Sequence, residues 1–178
     1  MFDAEAPPPA QGIDDGLSLE PRLAGLEPVH PLRASGEIVE SPMLGRLEFS
    51  RMPHGRPSFW RGEQWMPDSR FPLRIVCEVE GDHLPGSDQG ACVTAFRRLQ
   101  VQDAMLCAPL INQRLRELQI AHTVTVDDLV LTLIHLPPHP LADARFELGF
   151  RATSIQNLSF NVVFVRATPR SVRVDSDA

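Results

Sequence analysis

The chain has no lysine and no tyrosine, and all 17 of its basic residues are arginine. Lys and Tyr vanish together while Arg and Ala are plentiful. That reads as the codon usage of a GC-rich genome before it reads as selection for bidentate arginine contacts. No apolar run approaches the ~18 residues of a membrane-spanning helix. The opening Met1-Phe2-Asp3-Ala4-Glu5 lacks the positive flank and apolar stretch of a secretory signal. A soluble, cytoplasmic protein with no membrane partner is therefore expected. The three cysteines, Cys77, Cys92 and Cys107, are an odd number without C-x-x-C spacing, so neither a disulfide framework nor the usual zinc or redox pair is indicated, and buried reduced thiols are expected. Clustered positive charge is also missing, the arginines being single but for Arg97-Arg98, so nucleic acid is not an expected partner.

What the chain does contain fits one globular domain with tails. It is 43% hydrophobic and 22% charged over 178 residues, within the range of folded globular chains. Its net charge of −6 is carried by the ends. Residues 1–30 hold six acids against the single base Arg22, Asp175 and Asp177 close the chain, and the body between is nearly neutral. Pro7-Pro8-Pro9, Pro21, Pro28 and Pro31 interrupt the first segment, where apolar residues never hold a period long enough to offset ordering entropy. Residues 1–33 are read as a Pro-rich acidic mobile leader, 34–174 as a single domain and 175–178 as an acidic tail.

Within the domain the hydrophobic period changes twice. Leu44–Ser50, Phe59–Trp65 and Leu73–Glu80 alternate as strands, with Ile75, Cys77 and Val79 on one side and Arg74, Val76, Glu78 and Glu80 on the other. Helical spacing follows. Ser87 is a candidate N-cap for a helix carrying Ala91, Ala95 and Leu99 with Cys92 and Phe96. A second helix over roughly 103–119 carries Leu106, Leu110, Leu115 and Leu118, with Pro109 preferred at its first position. Period two returns in Leu129–Leu136, Phe146–Phe150 and Leu158–Val165, with Ser171–Val174 as a short edge. The expected fold is α+β, a mainly antiparallel sheet with two helices packed on one face, in the order strands–helix–helix–strands.

Chemistry is sparse. His135 and His139, with His122 and Asp127-Asp128, are the best metal candidates, but His139 lies between prolines and no ligand spacing supports them, so no metal or cofactor is assigned. Three cysteines and six histidines always permit a guessed nucleophile and base, and no nucleophile elbow or phosphate loop accompanies them. Glu78, Glu80 and Asp82 read as a solvated sheet face. The densest unusual run is Phe59-Trp60-Arg61-Gly62-Glu63-Gln64-Trp65, which holds both tryptophans. On a strand the two rings fall on opposite faces, one in the core and one among charges, as at a protein-binding hot spot. Phe59, Trp60, Arg61, Glu63 and Trp65 are the candidate partner-binding residues.

The run Leu44-Gly45-Arg46-Leu47-Glu48-Phe49, then Trp60-Arg61-Gly62, Glu78-Val79-Glu80-Gly81, Ser87-Asp88-Gln89 and Asp127-Asp128-Leu129 together resemble small bacterial domains of unknown function found in toxin–immunity gene neighbourhoods. The similarity covers about residues 43–165, and the Pro-rich leader and Pro109 depart from it. It implies binding rather than catalysis. The expected function is a non-enzymatic bacterial protein-binding domain, with an immunity protein neutralising a cognate toxin as its specific form. The alternative is a small cysteine-dependent hydrolase or transferase.

Overall fold

The computed structural model describes residues 33–176 apart from His54 and Ala144. The leader expected over 1–33 therefore lies outside the described residues except for Arg33. Among the described residues, eight strands form one sheet in simple sequence order: β1 (Ile38–Ser41), β2 (Gly45–Ser50), β3 (Ser58–Gln64), β4 (Leu73–Val79), β5 (Leu129–Leu136), β6 (Arg145–Ala152), β7 (Leu158–Val165) and β8 (Thr168–Ser176). Every neighbouring pair is antiparallel except β4 with β5. A parallel pair needs a long crossover, and one helix, α1 (Ser87–Glu117), supplies it.

The expectation of two helices in the order strands–helix–helix–strands is overturned. One 31-residue helix runs straight through the position read as a boundary, with Pro109 inside it. A proline in a helix interior removes one hydrogen bond and crowds the carbonyl four residues back. Here Pro109 and Met105 are both exposed, so the freed carbonyl lies on the solvent side. A 3-10 turn (Val126–Asp128) and a single helical turn (Pro140–Asp143) complete the secondary structure of the described residues. The cap also differs, since Gly86 rather than Ser87 occupies the N-cap position.

The helix keeps part of the expected stripe, with Leu115 buried and Cys92, Phe96 and Leu110 packed against the core, and turns the rest outward. Gln89, Val93, Ala104, Cys107, Ile111 and Leu115 are buried, a stripe that keeps one helical phase along the whole length. Ala91 and Ala95 are exposed, and Leu99, Leu106 and Leu118 are 41%, 51% and 42% exposed. Polar residues fix this phase. Buried Gln89 donates from Nε2 to the carbonyls of Glu78 and Pro137, each at 2.8 Å, and accepts from the Gly86 amide at 3.0 Å. It thereby ties the helix start to the ends of both parallel strands and leaves no polar atom of its side chain unpaired. Near the other end, Asn112 makes a reciprocal pair with the Val124 backbone, at 2.9 and 2.8 Å.

The helix and the sheet side beneath it enclose a single core. Trp60 and Phe49 are fully buried with ring centroids 5.0 Å apart, and the Trp60 indole donates to the His83 carbonyl at 2.7 Å. Phe146 lies 4.8 Å from both Phe96 and Phe164. Mainly antiparallel α+β architecture is thus present, and β1 is an additional strand paired with β2 through the turn at Gly45, whose φ of +73° suits glycine. The acidic tail expected from residue 175 begins inside β8, where Asp175 pairs across the ladder with Ser159.

Candidate functional site

Alternation gives the sheet a second side, which α1 does not cover. On β4, Leu73, Ile75, Cys77 and Val79 point into the core, so Arg74, Val76 and Glu78 point away from it. Register carries the same division across the sheet. Val76 pairs with Arg61 on β3 and with His135 on β5, and His135 pairs with Glu147 on β6. Asn161 on β7 pairs with Gly149 on one side and Arg173 on the other. A Cβ at Gly149 would stand 2.6 Å from the Leu133 Cβ and 2.8 Å from Asn161 Oδ1, so glycine is what lets these neighbours close over β6.

His135 reaches this side through a bulge. Strict alternation from core residues Leu129 and Leu131 would turn residue 135 inward. The register of β5 against β6 shifts between Leu131 and Leu133, and Leu131 and Thr132 are both buried. One extra residue resets the phase, so that Ile134 and Leu136 enter the core while Leu133 and His135 face out. His135 Nε2 then lies 3.0 Å from Glu78 Oε1, and Nδ1 lies 4.0 Å from Glu147 Oε2.

A cavity of 1120 Å³ spreads over this side, lined from Ile38 on β1 to Asp175 on β8. Its floor is apolar where Phe59, Val76 and Leu133 contribute, and its walls are charged. Arg61 pairs with Glu48 at 3.1 Å, and Arg173 with Asp175 at 2.9 Å. The hydrogen bond to Arg173, aided by one from Asn161, holds the Asp175 carboxyl below its ordinary range, and the same contact raises the Arg173 guanidinium. No cysteine lines the cavity. The thiols of Cys77 and Cys107 are each pushed up to about 12, chiefly by burial and secondarily by nearby Asp88 and Asp103 respectively. Burial, then Asp88, raises Cys92 as well.

The structure divides the candidate run. Phe59, Arg61 and Glu63 lie on the uncovered side and line the cavity. Trp60 is core, while Trp65, just past the end of β3, is 67% exposed. No register shift occurs at Gly62, and the two rings differ as their odd spacing predicts, Trp60 being buried and Trp65 exposed. His135 and His139 do not converge, for His139 approaches Glu80 at 3.4 Å on the exposed loop. Among the described residues no group of three or more His, Cys, Asp or Glu side chains could hold a metal ion. Arg46, Arg173, Glu147 and Asn161 escaped the sequence reading. Their signal was parity within each strand, legible locally, but not the register that gathers them.

Compared with protein-family models, curated proteins and solved structures, the chain matches none. Among the described residues no helix is long and apolar enough to cross a membrane.

Proposed function

We propose that this chain is a non-enzymatic, cytoplasmic bacterial domain that binds another protein through the uncovered side of its sheet. The observation that carries the reading is the character of that side: a broad cavity combining an apolar floor, paired and unpaired arginines and the half-buried ring of Phe59, with Trp65 exposed beyond the end of β3. Interfaces concentrate their energy in aromatic and arginine side chains. The resemblance of residues 43–165 to domains from toxin–immunity neighbourhoods supports a cognate toxin as the partner to try first. Co-purification with the products of neighbouring genes tests the reading. A retained partner that is lost on Arg61→Glu or Trp65→Ala is the expected result. Recovery of free monomer from every co-expression would count decisively against it.

A cysteine-dependent reaction finds little support in the thiol environments. Thiolate is the reactive form, and pushing Cys77 and Cys107 up to about 12 nearly empties that form at neutral pH. Native-state alkylation at pH 7–8 should leave both unmodified long after a free cysteine has reacted, whereas fast labelling of either would revive the enzymatic alternative.

A further inference from the structure

The outward side of α1 is rich in apolar residues, and they repeat with a period that fits a second helix. Four of the ten large hydrophobic side chains exposed among the described residues, Leu99, Val101, Met105 and Leu106, lie in this one stretch. From Arg98 to Gln102 every residue is exposed, more than a full turn of helix, so the domain's own core leaves this turn unburied on every side. A helix that is apolar all round is normally covered all round. Ala95, Leu99, Gln102, Leu106, Pro109 and Gln113 are all exposed and are spaced alternately four and three residues apart, the repeat that holds a seam against a partner helix. The same repeat begins one heptad earlier, at half-buried Asp88, and ends at exposed Arg116. We propose that α1 of a second copy of this chain covers this seam, antiparallel, about a two-fold axis at Gln102.

The seam complements its own reverse, and this selects a second copy as the occupant. With Gln102 on the axis, Leu99 meets the partner's Leu106 and small Ala95 meets the partner's bulkier Pro109, and each contact occurs twice. The two Gln102 amides face each other, and an amide carries both donor and acceptor, so the pair satisfies itself. The ends match by charge. Asp88 in the first turn comes opposite the partner's Arg116 in the last turn. No salt bridge holds either residue among the described residues, Glu117 being taken by Arg114 at 2.9 Å. An antiparallel pair also sets each helix N-terminus beside a C-terminus, where the dipoles attract. A parallel pair would instead press Asp88 on Asp88 and Arg116 on Arg116. Between its ends the seam itself carries no charge, so nothing along it calls for a partner of one sign. The buried residues Val93, Cys107 and Ile111 lie on the opposite side of the helix. Pairing through α1 therefore leaves the uncovered side of each sheet free, and it neither uses nor blocks the surface proposed for recognition.

Analytical ultracentrifugation of the full-length chain across a concentration series tests this, and a monomer–dimer equilibrium is expected. Leu99→Glu/Leu106→Glu should weaken the dimer by about a hundredfold or more, since it puts carboxylates into both leucine contacts. Arg116→Glu brings like charges together at each end and should weaken it about tenfold. All of these positions are exposed, and unchanged helix content by circular dichroism would show that the variants fold. Oxidation of Gln102→Cys should yield a disulfide-linked dimer. Arg116→Cys should not, because the two sites lie about 42 Å apart along an antiparallel pair at ~1.5 Å per residue. Cross-linking of both variants would mean a parallel pair and overturn the proposal. A monomer at every concentration, or a dimer that survives Leu99→Glu/Leu106→Glu undiminished, would overturn it as well. So would a different protein that binds the monomeric chain and is released by that double variant, for the seam would then belong to that protein.

Discussion

The two sides of the sheet are made by the same strands, and adjacent residues on β4 show how differently they are used. Cys77 faces α1, is fully buried and holds its thiol neutral; Val76, one residue earlier, lies between Arg61 and His135 on the uncovered side. The covered side is nearly free of charge and fixed by aromatic packing and a few satisfied amides. On the uncovered side the charges are partly paired and partly free. The first side holds the core, and the second is the one proposed for recognition, because a single β-strand can serve both only by alternation.

The comparison can be broken most directly by moving a charge from one side to the other. Cys77→Asp should cost more than about 4 kcal/mol, since it buries an unpaired carboxylate. Val76→Asp, beside Arg61 and His135, should cost under about 1 kcal/mol. Denaturant melts of both variants decide it, and equal losses would mean that the two sides are not distinct. The tryptophans provide a second contrast. Trp60→Ala should destabilise by about 3–5 kcal/mol as a large core deletion, and Trp65→Ala by less than about 0.5 kcal/mol as a surface change.

Asp103 sharpens the comparison from the covered side. Among the described residues it is the one charged side chain that is buried, and its Oδ2 has no hydrogen-bond partner there; burial raises its pKa from 3.8 to about 6. The folded state thus holds this proton more tightly than the unfolded chain. Its contribution is fully present below about pH 4 and is lost as pH rises through about 6. Asp103→Asn should remove that dependence, stabilising by the order of 2 kcal/mol at pH 7–8 and by almost nothing near pH 3. Urea unfolding across this range is the measurement, and an unchanged pH profile would show that the carboxyl is better solvated than its burial indicates.

Local periodicity made most strands legible: Leu158–Val165 and the inward set Ile75, Cys77 and Val79 are found where alternation places them. The helix was misread because its exposed side is itself apolar. Ala91, Ala95 and Leu99 compete with the true stripe, and Pro109 resembles a boundary. The buried phase was decided by Gln89 and Asn112, whose partners at Glu78, Pro137 and Val124 are distant contacts that no local period records. The strand of Phe59, Arg61 and Glu63 was likewise legible as a face, whereas Arg46, Arg74, His135 and Arg173 join it only through register.

By itself, then, the sequence determined which segments alternate, which side chain of each strand opposes its neighbour, and that the two tryptophans must part company. These are properties of the chain's own geometry, with a period of two residues in a strand. Tertiary structure alone decided which side the helix would cover, that β4 and β5 would lie parallel, and that a bulge at Leu131 to Leu133 would turn His135 outward towards Glu78. Those outcomes depend on packing and pairing between residues up to 57 positions apart, and a pattern read a few residues at a time holds no record of them.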